Sequence, residues 1–146
     1  MTPGSWRAVL LVALGGALGS VARYLTGLWL PPAASGVLAG VPMGTLTVNV
    51  GGAFLIGALL GALPPNAGPD ASLPWLRLLL ATGFCGGFTT FSALSAETLA
   101  LLTSGRTVRA GVYVMLTLLL GLSATWIGLR TGTALADRIP RFTPFP

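Results

Sequence analysis

Residues 81–92 read Ala81-Thr82-Gly83-Phe84-Cys85-Gly86-Gly87-Phe88-Thr89-Thr90-Phe91-Ser92 and lie inside a long apolar run. Each glycine costs about 1 kcal/mol against alanine in a helix interior, and the β-branched Thr89-Thr90 pair follows directly. The stretch therefore predicts a helix that breaks between Gly83 and Thr89. At membrane depth an unpaired N–H or C=O costs several kcal/mol, so a break survives only where protein buries it or where it lines a polar cavity or ion site. By glycine count alone the stretch serves equally well as a close-packing segment of a helix. The hydroxyls and rings interleaved with the glycines favour a site.

The surrounding chain supplies the membrane context. Its 146 residues are 53% hydrophobic and 8% charged, with a mean hydropathy of +0.85, which is too apolar for an ordinary soluble domain. A helical span needs ~20 apolar residues. Four spans, residues 6–30, 43–63, 74–102 and 108–129, followed by a polar tail over 130–146, use nearly the whole length and leave no room for a separate soluble domain. The expected fold class is thus an all-α membrane protein with four transmembrane helices, the third broken at its centre, in the plasma (inner) membrane.

The net charge of +5 comes from eight arginines and no lysine, set against Asp70, Glu97 and Asp137. Most arginines flank the spans, which is a headgroup pattern and not a nucleic-acid one. No histidine, a single cysteine and no paired carboxylates leave haem, zinc and acid–base chemistry without material, so the chain does not read as an enzyme. Cys85 reads most simply as a small buried residue.

Along the first run, Gly15 and Gly19 form a small-xxx-small pair suited to close helix approach, and Arg23 follows near its far end. Arg23 is either a snorkelling anchor, the commoner use, or a cation facing a polar vestibule. Pro31-Pro32 ends this helix, residues 33–40 make a loose connection, and Pro42 marks the next start. In the second run Thr45, Asn49, Ala53, Gly57 and Gly61 recur at i, i+4, so one face carries a hydroxyl, a carboxamide and a path of tiny residues that must pack against protein. Asn49 is either glue between helices or a donor to whatever occupies a cavity. Residues 63–70 are turn chemistry throughout. Past the break, Phe91, Leu94, Ser95 and Thr98 share a face, and Glu97 is the only acid inside any span; the fourth run carries Tyr113 and Thr117 one turn apart, then Gly121.

The polar groups at membrane depth are mostly donors: Asn49, Arg23, Tyr113 and the hydroxyls of Thr45, Thr47, Thr89, Thr90, Ser92, Ser95 and Thr117. Such a set suits an anion, and phenyl ring edges, the positive end of the quadrupole, add to it. Carbonyls freed by the break would instead suit a small hard cation.

Three stretches carry a resemblance: Gly19-x-x-Ala22-Arg23-Tyr24, Gly44 to Phe54, and Gly83 to Ser92. They are similar to the CrcB/Fluc fluoride channels, over all four spans, and the last motif is highly specific. The resemblance implies a passive fluoride channel that protects the cell, built as an antiparallel, dual-topology dimer with two pores flanking a structural sodium ion. It implies that Gly86 and Thr89 offer backbone carbonyls to the sodium and that Asn49 and Phe91 bind fluoride. Ser92, Tyr113 and Thr117 would continue the polar track, Glu97 would be a pore-lining acid, and Arg23 would draw anions into a vestibule. The chain departs from the family at Ala93-Leu94, where similar members read Thr-Phe. Either Phe91, helped by Phe88, suffices in a homodimer, or a related subunit in a heterodimer supplies the ring missing at Leu94.

Two other classes compete. A proton-coupled small multidrug-type exporter shares the architecture, but its coupling acid lies in the first span, which has none here. A non-transporting membrane anchor subunit leaves the break and the donor stripe without a use. Arginine counting puts Arg7, Arg77, Arg130, Arg138 and Arg141 on one side and Arg23, Arg106 and Arg109 on the other, a weak bias that predicts both orientations.

Overall fold

The computed structural model describes residues 3–36, 38–63 and 74–138. Helix α1 is Pro3–Trp29 and α2 is Met43–Ala62. Residues 74–88 form α3, which starts as an ordinary helix over Pro74–Leu76, widens to π-helical turns over Arg77–Cys85 and tightens again over Gly86–Phe88. Helix α4 is Phe91–Thr103 and α5 is Thr107–Arg138. Helices α3 and α4 together make the third crossing, Pro74–Thr103, so the described residues hold four helical crossings long and apolar enough for a bilayer.

The predicted break exists but is shorter and later than glycine content suggests. Only Thr89 (φ −77°, ψ 158°) and Thr90 (φ −151°, ψ 119°) are extended, while Gly83, Gly86 and Gly87 all remain helical. The glycines serve contact instead. A Cβ on Gly83 would come within 2.9 Å of the Gly15 Cα, and one on Gly87 would run into the Gly16 carbonyl. Across the same seam Gly15 faces the Leu79 carbonyl and Gly19 the Phe84 carbonyl, each too close for a side chain. The small-xxx-small pair of the first run therefore holds α1 against α3.

A second glycine seam joins α2 to α5. Gly57 and Gly61 meet the backbone at Thr125 and Leu129, and Gly128 and Gly132 meet the backbone at Phe54 and Ala58. The lower part of the i, i+4 stripe thus packs against protein as predicted. Its partners, Gly128 and Gly132, extend helical packing well past the apolar run: α5 continues to Arg138, whereas a polar tail was expected from residue 130. At 32 residues α5 is roughly 48 Å long, more than the ~30 Å of hydrocarbon. The Arg130 guanidinium lies 5.4 Å from the centre of the Trp126 ring, a pairing suited to the interface. The sequence pattern marked the end of the apolar stretch, and the helix goes on because Gly61 and Gly132 still have backbone to pack against.

The break redirects the third crossing. Helix α3 lies along α1, whereas α4 lies against α5 and the start of α2. The connection over residues 33–40 is more ordered than expected. Ala33 donates its amide to the Val41 carbonyl (3.0 Å) and Gly40 its amide to the Ala33 carbonyl (2.8 Å), and Val41 is fully buried. Val41 joins Leu46, Leu94, Leu101, Ala110 and Tyr113 in the apolar core. Of the turn expected over 63–70, residues 64–70 lie outside the described residues, as does the tail beyond 138.

The seam is testable. Gly128→Val should cost about 1–3 kcal/mol of stability through overpacking, whereas Gly121→Ala, with open space at its Cβ, should be neutral or stabilising by about 1 kcal/mol. Thermal unfolding of the detergent-solubilised protein distinguishes them.

Candidate functional site

The two extended residues leave polar backbone in the middle of a crossing, and the nearest side chain repairs it. Asn49 accepts from the Thr90 amide through Oδ1 (2.8 Å) and donates through Nδ2 to the Thr90 carbonyl (3.1 Å). A carboxamide is the one uncharged side chain that offers a donor and an acceptor side by side, so it substitutes for the missing helical partner on both sides of one residue. Helix α2 comes close enough because Gly52 has no side chain where the Thr89 methyl sits. Thr90 then caps α4: its Oγ1 accepts from the Ala93 amide (3.1 Å).

Hydroxyl by hydroxyl, the expected donor set is smaller than its residue count. Thr89 donates to the Cys85 carbonyl (2.9 Å), Ser95 to the Phe91 carbonyl (2.9 Å) and Thr117 to the Tyr113 carbonyl (2.8 Å), each one turn back along its own chain. Thr45 and Tyr113 donate to the two oxygens of Glu97, at 2.8 and 2.6 Å. Thr47 is exposed on α2 and bonds to no described residue, and further unspent donors lie at the break. Asn49 keeps a second Nδ2–H without a partner among the described residues. Thr90 and Ser92 share a single bond between hydroxyls (3.0 Å), so one of their two hydrogens is left over. Phe91 stands next to them, 80% exposed.

The structure thus brings Asn49, Thr90, Ser92 and Phe91 together and gathers Thr45, Glu97 and Tyr113 into a second group one to two turns along α4. Thr117 is 8% exposed and bonded into α5 behind Tyr113. Leu94, expected on the same path as Phe91, packs inward instead. It is 8% exposed in the apolar core, because its position on α4 turns towards Val41, Leu46 and Tyr113. Phe88 is occupied too, stacked on Phe84 with ring centres 5.6 Å apart. Arg23 is half-buried on α1 and bonds to neither group. Gly86 is the exception among the glycines of its stretch. Beyond its own helical turns and chain neighbours, no heavy atom lies within 4 Å of where its Cβ would be, and the residue is exposed. Sequence reasoning named Thr90 only as one donor of many. The signal for its double role was present in a Thr directly ahead of the second helical half, the ordinary place for an N-cap.

These residues fall within a known pattern. The family model described as CrcB-like protein, Camphor Resistance (CrcB), matches residues 10–129. The chain belongs to the CrcB-like family. It is similar to proteins named fluoride-specific ion channel FluC: 49% identical to one of Thermus thermophilus over 131 residues, covering 86% of this chain and 94% of that one. One of Flavobacterium psychrophilum is 43% identical over 123 residues, 84% and 94% of the two chains. One of Rhizobium meliloti is 45% identical over 121 residues, 83% and 92%. With four crossings, this CrcB-like chain is a multi-pass membrane protein.

Removing the carboxamide should be felt first in the fold. Asn49→Ala strands an amide and a carbonyl of Thr90 and should cost about 1–3 kcal/mol. Thr90→Ala, which removes the cap, should cost about 0.5–2 kcal/mol and Thr90→Ser much less. Denaturant or thermal unfolding in detergent measures both.

Proposed function

We propose that this protein is a passive fluoride channel that lets cytoplasmic fluoride leave the cell. The observation that carries the reading is the donor group at the break: the second Asn49 N–H, the hydroxyl hydrogen left over from Thr90 and Ser92, and the exposed Phe91 ring. Fluoride is small and strongly hydrated, so a path for it must replace water with donors and must not present carbonyl lone pairs. Unspent N–H and O–H groups do this directly, and a phenyl edge supplies positive potential without hydrogen-bonding. Relatives named fluoride-specific ion channels, similar over more than four-fifths of this chain, support the same reading. A channel also needs no coupling group, which suits a chain whose single intramembrane acid, Glu97, is tied on both oxygens by Thr45 and Tyr113. No catalytic step is assigned to it. A proton-coupled exporter would need that acid free to exchange protons, and a mere anchor would have no use for unspent donors beside a break.

The conducting unit in this reading is an antiparallel dimer in which each copy lines a path with Asn49, Phe91, Ser92, Glu97, Tyr113 and Thr117, while Arg23 attracts anions to a vestibule. Leu94 supports that path from inside the core, so Phe91 is the ring that acts, and the homodimer needs no related subunit. The dimer axis would hold a sodium ion through the Gly86 and Thr89 carbonyls of both copies. The fit is reasonable on two counts: Thr89 is extended, which takes its carbonyl out of the helical ladder, and Gly86 alone in its stretch has open space around it. Sodium would supply the charge that lets four like dipoles converge.

Three measurements test this. In liposomes containing the purified protein, an ion-selective electrode should record fluoride efflux and no matching chloride efflux. Phe91→Ile should abolish most of it with stability unchanged, since the ring is exposed in the protomer; fluoride flux equal to that of protein-free liposomes would overturn the proposal. Replacing sodium with N-methylglucamine should shift the sizing-column profile from dimer towards monomer or lower the flux. A single orientation on cysteine labelling from both faces would rule out the antiparallel arrangement.

A further inference from the structure

The connection between α4 and α5 holds an arginine that neither group above uses. A cavity of about 320 Å³ opens beside it, lined by Gly40, Pro42, Glu97, Ser104 and Arg106 among others. Glu97 is therefore not only an acid within a crossing: its side chain borders an open space that leads out at this end. The bonds from Thr45 and Tyr113 fix the carboxylate there, and its charge is of the wrong sign for an anion passing by. A channel for anions needs something at this mouth to offset it.

Arg106 is built for that position. Gly105 adopts φ +75°, the left-handed conformation that ends α4, and the Arg106 amide turns back to the Leu101 carbonyl (2.9 Å). The side chain reaches across to the 33–41 connection, where Gly40 (φ +84°) leaves room for it: a Cβ on Gly40 would stand 2.6 Å from the guanidinium Nη1. The guanidinium makes no ion pair with any described residue, so its charge is not spent on a neighbour. An arginine serving only as a headgroup anchor would extend away from the protein, whereas this one lies over the cavity rim.

We infer that Arg106 is a second anion-collecting residue, the positioned counter-charge that keeps the Glu97 mouth of the path open to fluoride. The inference rests on the channel reading and extends it to the opposite sign of charge at one end. Because a cation at a rim acts through its field, its effect depends on ionic strength: the screening length is ~30 Å at 0.01 M salt and about 3 Å at 1 M.

The test is fluoride efflux from neutral phosphatidylcholine liposomes at ~10 mM and ~500 mM ionic strength, for wild type, Arg106→Gln, Arg106→Lys and Arg109→Gln. Arg106→Gln should lower flux by about threefold or more at low salt and by less than about twofold at high salt. Arg106→Lys should keep most of the flux at both, and Arg109→Gln, which does not line the cavity, should match wild type. In Glu97→Gln background the further loss caused by Arg106→Gln should shrink, as expected if the two charges are coupled. A conducting wild type with Arg106→Gln equal to it at low salt overturns the inference. An equal loss at both ionic strengths also overturns it, in favour of a structural role over Gly40. A wild type that carries no fluoride in either salt overturns the channel reading and this one with it.

Discussion

The whole arrangement depends on one reciprocal contact, the Asn49 carboxamide on both backbone groups of Thr90. In hydrocarbon the alternative is an unpaired amide and an unpaired carbonyl, several kcal/mol each, and no water to relieve them. The contact in turn sets conditions on its neighbours. Helix α2 must come within hydrogen-bonding distance of the third crossing, which Gly52 permits by leaving the Thr89 methyl its space. Helix α3 must be held still up to the break, which the glycine seam with α1 achieves. Helix α4 must start cleanly after it, which the Thr90 cap achieves. With these in place, the crossing changes neighbour from α1 to α5 with both backbone groups of Thr90 paired.

Once the break is repaired, the location of unspent donors follows from ordinary helix chemistry. A threonine or serine inside a helix returns its proton to the carbonyl one turn back, and Thr89, Ser95, Thr98 and Thr117 all do so. Where the ladder is interrupted side chains face a choice, and there Asn49 and the Thr90–Ser92 pair retain one hydrogen each. Unspent donors therefore cluster at the break, and the exposed Thr47 hydroxyl on α2 is a further one. Glu97 illustrates the converse. A lone carboxylate at this depth is costly, and two hydroxyl donors from different helices, Thr45 on α2 and Tyr113 on α5, make it tolerable while tying α2, α4 and α5 together.

Much of this was legible in the sequence because periodicity and backbone rules act locally. The four crossings, the Gly15/Gly19 pair and the Thr45-to-Gly61 stripe follow from apolar run length and i, i+4 spacing, and each meets protein as spacing requires. The break was assigned to Gly83–Thr89 because glycine is the weaker helix former, yet tertiary contact with α1 keeps Gly83, Gly86 and Gly87 helical and leaves only the threonines extended. Propensity lost to packing there. The role of Gly128 and Gly132 exists only opposite Gly57 and Gly61, and no local pattern states which two helices meet. The inward turn of Leu94 and the reach of Arg106 to Gly40 are likewise facts of the third dimension.

The dimer proposed above would use the exposed edge near the break. An exposed phenyl ring is no burden in lipid, so Phe91 by itself argues nothing. Ser92 and the backbone around Gly86 are another matter, since both are exposed beside it and both are polar. Facing acyl chains, an exposed hydroxyl and an open stretch of backbone would each carry a desolvation cost. The glycines on either side, Gly83 and Gly87, are sealed against α1, so the opening at Gly86 is local and is not a general looseness of the helix. A second copy laid across this edge would cover the backbone and enclose the ring and the hydroxyl in a polar path. The groups most costly to leave bare in the protomer are then the ones a conducting dimer would use.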